Sequence, residues 1–104
     1  MSGARFDELI HPSTRLNLVA TLAAADWAEF AFLKDRLNLS DSALSKQLAT
    51  LEEAGYVATE RRLEGSRRKV RARLTAAGRS AFDGHIAALR EIVAGASTAE
   101  PPGR

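Results

Sequence analysis

The stretch Arg68-Lys69-Val70-Arg71-Ala72-Arg73-Leu74 alternates without a break. On an extended chain Val70, Ala72 and Leu74 fall on one side, and Lys69, Arg71 and Arg73 on the other. That is the pattern of a strand with one face on a core and the other, basic face in water. Just upstream, Glu64-Gly65-Ser66 has turn chemistry, with Gly65 suited to a positive φ. Tyr56 to Leu63 reads as the partner strand. The chain therefore carries a hairpin over about 56–74, and the remaining elements must cover its apolar side.

Charge makes the hairpin more specific. Residues 61–73 hold Arg61, Arg62, Arg67, Arg68, Lys69, Arg71 and Arg73 against Glu64 alone, a local excess of +6 in a 104-residue chain of net charge +2. The rest of the chain, with eight basic and twelve acidic residues, is negative. One segment thus carries the positive field, which points to a polyanionic partner. A solvated basic loop is the plainer alternative, and charge alone does not choose between them.

Helical spacing surrounds the hairpin. Phe6, Leu9 and Ile10 suggest a short amphipathic turn, and Pro12 fits the first position of a helix over about 12–25. Asp26 to Glu29 interrupts it and reads as a short extended stretch. Phe30, Leu33 and Leu37 predict a helix over 30–37, closed by Asn38 in the left-handed cap position. Ser40 is placed to cap a third helix over 41–54, and Asp41 favours its positive end. Leu44, Leu48 and Leu51 share one face of that helix. Ser42, Ser45, Lys46, Ala49, Thr50 and Glu53 lie opposite, and Gly55 stops it. Thr75 is placed to cap a last helix over about 76–93, with a seam of Phe82, Ile86, Leu89 and Val93. The tail 94–104, rich in small residues with two prolines, is expected to be disordered.

Two helices joined by Asn38-Leu39-Ser40-Asp41 make a helix-turn-helix unit, and a basic hairpin follows directly. The order helix, short strand, helix, helix, strand, strand, helix is that of a winged helix. The run Leu39 to Leu48, continuing through Leu51 to Val57, resembles the recognition-helix signature of MarR/ArsR-like winged helix-turn-helix transcriptional regulators. Glu64 to Arg68, Arg73 to Gly78 and the stretch Phe6-Asp7-Glu8-Leu9-Ile10-His11-Pro12 are similar to a compact MarR-like subgroup. The likeness covers roughly residues 6–93. Asn38 departs from it where glycine is common, and Ser66 where a third wing arginine is expected.

The expected fold is mainly α with a small β-hairpin wing (α+β). It is one winged helix domain over 1–93, with the helix-turn-helix at about 30–54, the wing at about 56–74 and a dimerisation helix at about 76–93. The resemblance implies a dimeric, sequence-specific regulator of double-stranded DNA, often a repressor. Residue chemistry then distributes the roles. Ser42, Ser45, Lys46 and Thr50 face away from the leucines and are candidates for base edges and nearby phosphates. Gln47 is the one side chain able to pair with adenine at both ends, although it sits on the helix flank, where a boundary role is an equal alternative. Arg67, Arg68, Lys69 and Arg71 are candidates for phosphates or a narrow minor groove, and Arg61 and Arg62 are secondary. Phe6, Leu9, Ile10, Phe82, Ile86, Leu89 and Val93 are candidates for a homodimer interface.

Other functions find less support. Without cysteine there is no disulfide framework, zinc ribbon or thiol nucleophile. No Ser-His-Asp order, glycine-rich phosphate loop or metal-spaced cluster appears, so no enzyme and no cofactor are expected. His11 and His85 are far apart in sequence, and His85 with Asp83 makes too thin a set for a metal site. No apolar run is long enough for a membrane span and no secretory signal opens the chain, which reads as cytoplasmic. The competing reading is a winged helix that binds protein without direct DNA readout. Such a docking face more often shows exposed aromatic or large apolar residues, whereas the outer face of 41–54 is small and polar. The residues name no effector.

Overall fold

The computed structural model describes residues 3–98. Its elements run α1 (Ser13–Ala23), β1 (Ala28–Glu29), α2 (Phe30–Leu37), α3 (Asp41–Glu53), β2 (Val57–Glu64), β3 (Arg67–Leu74) and α4 (Ala76–Thr98). This is the expected winged helix order. No helix among the described residues is long and apolar enough to cross a membrane.

The helices form where their leucines can be covered. Leu18, Val19 and Leu22 of α1, Leu33 of α2 and Leu44, Leu48 and Leu51 of α3 are buried in one core. Pro12 lies one place earlier than expected, as the N-cap of α1 with ψ 135°, so its missing amide costs no helical bond. Asn38 takes φ 55° and ψ 51°, and Leu39 N–H bonds back to Lys34 O at 3.0 Å. That left-handed residue turns the chain from α2 into α3. Ser40 Oγ then accepts from Ala43 N–H at 3.1 Å, a cap worth about 1 kcal/mol.

The sheet has the order β1-β3-β2 and is antiparallel throughout. Glu64 pairs with Arg67 across a two-residue turn. Gly65 there has φ +64° while Ser66 stays at negative φ, the pattern of a primed hairpin turn whose twist matches its strands. Val57, Ala72 and Leu74 close the core from the sheet.

α4 is fastened at its start. Thr75 N–H bonds to Tyr56 O at 3.0 Å, and Thr75 Oγ1 donates to Gly55 O at 2.6 Å while accepting from Gly78 N–H at 3.0 Å. Gly78 is needed there because an added Cβ would lie 2.0 Å from Tyr56 O. The helix runs beyond the expected end at 93, through Thr98. Ala94 to Thr98 contains no proline, and the first proline of the tail is residue 101. Small size alone does not stop a helix, so this part of the expected disordered tail is corrected. Residues 99–104 lie outside the described residues.

Ahead of α1, the expected short helical turn is a hydrogen-bonded turn held by Asp7. Its Oδ1 accepts from Leu9 N–H at 2.9 Å and Ile10 N–H at 3.2 Å. Asp7 Oδ2 accepts from Tyr56 O–H at 2.6 Å, a bond that raises the phenol's pKa. Asp7 N–H donates to His85 Nδ1 at 3.0 Å, and His85 Nε2 faces His11 Nδ1 at 3.3 Å. The two histidines, distant in sequence, are neighbours. The ring of Phe6 lies 4.8 Å from that of His11 and 4.7 Å from that of His85. The segment therefore docks on its own α4. Ile10, expected at a dimer interface, is 0% exposed in its own core and cannot meet a partner. Leu9 and Phe82, also expected there, are half-buried against that core.

Candidate nucleic-acid interface

α3 sorts its residues by the helical period. With the leucines inward, Ser42, Ser45 and Lys46 are exposed at i, i+3 and i+4 on the outer face. Thr50 follows on that face, half-buried, its Oγ1 donating to Lys46 O at 3.0 Å. Its hydroxyl proton is thus taken by the helix, leaving an acceptor and a methyl group outward. At the helix start Asp41 pairs with Lys34 Nζ at 2.8 Å, and this hydrogen bond raises the lysine's pKa.

Gln47, half-buried on the helix flank, meets a neighbouring helix. Arg15, on α1, donates from Nη1 to Gln47 Oε1 at 3.0 Å and from Nε to Leu9 O at 2.6 Å. Arg15 takes one of the two acceptor positions of Oε1 and holds the amide toward α1. The arginine was missed in the sequence because its target lies 32 positions away. In this fold Gln47 ties α3 to α1.

The wing presents two unlike faces. On a paired hairpin, alternate residues share a side and cross-strand partners face the same way. Val57, Thr59, Arg61 and Leu63 of β2 therefore lie with Leu74, Ala72, Val70 and Arg68 of β3. This side looks toward α3, since Thr59 Oγ1 donates to Glu52 Oε2 at 2.9 Å. Its inner end is core, and its outer end carries Arg61, Arg68 and Leu63, which is 72% exposed.

The opposite side holds Glu60, Arg62 and Glu64 with Arg71, Lys69 and Arg67. Here the charges answer one another. Arg71 Nε lies 2.6 Å from Glu60 Oε1, Lys69 Nζ 3.2 Å from Glu64 Oε1, and Arg62 3.6 Å from Glu64 Oε2 and 4.0 Å from Glu29 Oε2. The Arg71 guanidinium also sits over the Trp27 ring, 4.1 Å from its centre. Lys69 and Arg71, expected as phosphate contacts, are thus engaged within the sheet. The side chains of Arg61, Arg67 and Arg68 are exposed and have no hydrogen bond or ion pair among the described residues. Arg61, ranked second from sequence, joins Arg68 on the α3 side. Strand parity assigns it there once the register is known.

On α4, Ile86 and Leu89 are half-buried, and Ile92 and Val93 are 57% and 66% exposed. Ile86, Leu89, Arg90, Val93 and Ala94 line one shallow apolar groove. Asp83 is exposed while His85 is buried, so the two do not converge, and no group of metal-ligating side chains is gathered among the described residues.

This arrangement has counterparts. An uncharacterised protein of Methanocaldococcus jannaschii is 32% identical over 85 residues, covering 82% of this chain and 92% of its own. The structure of a transcriptional regulator homologue from Pyrococcus horikoshii superposes with a TM-score of 0.80 at 20% identity, over 86% of this chain and 89% of that one. A MarR-family transcriptional regulator from Silicibacter pomeroyi gives a TM-score of 0.63 at 26% identity, over 90% of this chain and 62% of that one. The first superposition speaks to fold alone. The family profile that matches is one of DNA-binding domains and not of enzymes. Matched over residues 14–93, the chain belongs to the winged helix DNA-binding domain family.

Proposed function

We propose that this protein is a sequence-specific, double-stranded DNA-binding transcriptional repressor that acts as a homodimer. The observation that carries the reading is the outer face of α3. Ser42, Ser45 and Lys46 stand exposed on one side of a helix whose other side is leucine core, beside a wing whose Arg61, Arg67 and Arg68 have no ion pair among the described residues. Small polar side chains let a helix seat deeply in a major groove, and a lysine reaches guanine acceptors or phosphates from there. The wing supplies the sequence-independent attraction through phosphates or a minor groove. The regulator and MarR-like assignments draw support from the Silicibacter pomeroyi relative and from the wing and last-helix runs. The repressor role follows from the resemblance to MarR-like regulators, and the dimer from that resemblance and the apolar groove on α4.

Titration of labelled genomic fragments by fluorescence anisotropy, at several salt concentrations, tests the proposal. Binding is expected to weaken steeply with salt, with a log–log slope of about −0.9 for each phosphate neutralised. Lys46→Ala or Ser45→Ala is expected to change which fragments are selected. Absence of binding to any duplex at low salt overturns the reading. An unchanged fragment preference in both variants removes α3 as the reading element.

A further inference from the structure

The two faces of the wing lead to a more specific inference, which rests on the DNA-binding reading above. We propose that the wing enters a minor groove with its α3-side face only, with Arg61 and Arg68 on the phosphates and Leu63 against the deoxyribose between them. Leu63 is thus a determinant of groove shape, favouring narrow, A·T-rich sequence beside the site that α3 reads.

The setting of Leu63 carries this. A single exposed leucine on a protein surface needs no explanation. Leu63, 72% exposed, is the direct cross-strand partner of Arg68 and lies two residues from Arg61. Both neighbours lack an internal anion among the described residues, so the leucine is framed by two available guanidiniums. The one acid of the outer wing, Glu64, lies on the other side and is held by Lys69 and Arg62. The α3-side face therefore offers phosphates no competing carboxylate at its tip. Gly65 narrows that tip, having φ +64° and no side chain. A narrow minor groove concentrates negative potential, which draws arginine, and its sugar-lined walls accept apolar groups. The guanine amino group that projects into the floor of G·C pairs crowds this space. A leucine at the leading edge is sensitive to that crowding in a way that a long flexible arginine is not.

The test is an anisotropy titration of the intact chain on two duplexes that share the selected core site, one with flanking G·C pairs and one with inosine·C in their place. Inosine lacks only the minor-groove amino group. Wild type is expected to bind the inosine duplex several-fold more tightly, and Leu63→Ala to lose that gain. Leu63→Ala should weaken binding about tenfold, as expected for losing part of a leucine's burial against the sugars in the complex. It should leave the salt slope unchanged, because no charge is removed. Arg61→Ala and Arg68→Ala should each flatten the slope by about 0.9, while Lys69→Ala and Arg71→Ala leave it as it is. Thermal unfolding of each variant checks that the fold is retained, as expected for the exposed tip residues Leu63, Arg61 and Arg68. A Leu63→Ala variant that binds as wild type, or equal affinity for guanine and inosine duplexes, overturns this inference alone. A wild-type chain that binds no duplex removes the reading beneath it as well.

Discussion

His85 is the most constrained ionisable residue of the described chain. It is 0% exposed, and its Nδ1 accepts from Asp7 N–H, so the neutral ring carries its proton on Nε2, toward His11 Nδ1. A second proton would set N–H against N–H at Asp7. Burial first, and then the neighbouring His11, lower the pKa of His85 from 6.5, against an opposing pull from Asp7. The unfolded chain takes up a proton near 6.5 that the folded chain takes up only at lower pH, so stability rests on the neutral ring. That contribution is complete above 6.5 and declines as pH falls below it, by up to about 1.4 kcal/mol per pH unit. His85→Gln keeps an uncharged acceptor for Asp7 N–H. Urea unfolding at pH 7.5 and 5.5 is expected to show wild type losing more stability on acidification than this variant. Equal losses mean that His85 does not hold the proton balance. None of this was legible in the sequence, where the histidines stand 74 positions apart. Asn38, by contrast, was legible in full, because a left-handed cap is a local demand that few residues meet. Gln47 fell between the two. Its place on the helix flank was visible, while its arginine partner comes from another helix.

At the scale of elements, the leucine spacing of α3 and the alternation of β3 carried their inner faces. Each period has one solution once a core exists. The outer faces were harder to read. The alternation of Lys69, Arg71 and Arg73 looks like a uniform basic surface until β2 is set in register and brings Glu60 and Glu64 across. Charge counting therefore overstates what the wing offers a phosphate, and the available arginines sit where strand parity and pairing leave them. The junction of β2 with α4 had a similar blind spot. Gly78 lies in the first turns of a helix, where alanine is ordinarily about 1 kcal/mol better than glycine. Here the Cβ would press on backbone that Thr75 also holds, at 2.0 Å from Tyr56 O. Gly78→Ala is expected to destabilise by roughly 2 kcal/mol or more, through the shift it forces at the base of the wing. Gly95→Ala, on the same helix with nothing within 4 Å of the added Cβ, is expected to be neutral or mildly stabilising. Denaturant midpoints of the pair decide this. If Gly78→Ala is as stable as wild type, the close approach is not a constraint.

The whole molecule is longer than its size requires. Its radius of gyration is 16.7 Å and its extents are 65 × 29 × 20 Å, against about 13 Å for the radius of a compact domain of this length. The C-terminal half of α4 carries Ile92 and Val93, exposed where the rest of the domain does not cover them. A two-fold partner would bury this end and bring two α3 helices to one side, for half-sites roughly one DNA turn apart. The expectation of a dimer through α4 is narrowed accordingly. Ile10 is spent in the core, and Leu9 and Phe82 pack against it, so the contact would centre on Ile86, Leu89 and Val93. Joining two modest sites on one assembly multiplies their binding, so loss of the dimer should weaken DNA binding more than loss of any one wing contact. Leu89→Glu places a charge in the middle of the groove while leaving the core leucines in place. Light scattering is expected to give a dimeric mass for wild type and a monomeric mass for Leu89→Glu at micromolar concentration. Anisotropy should show the variant binding its selected duplex at least tenfold more weakly, a cost of about 1.4 kcal/mol. A wild-type monomer, or a variant that stays dimeric, would move the interface away from α4. A monomeric variant with undiminished DNA affinity would mean that each protomer reads its site alone.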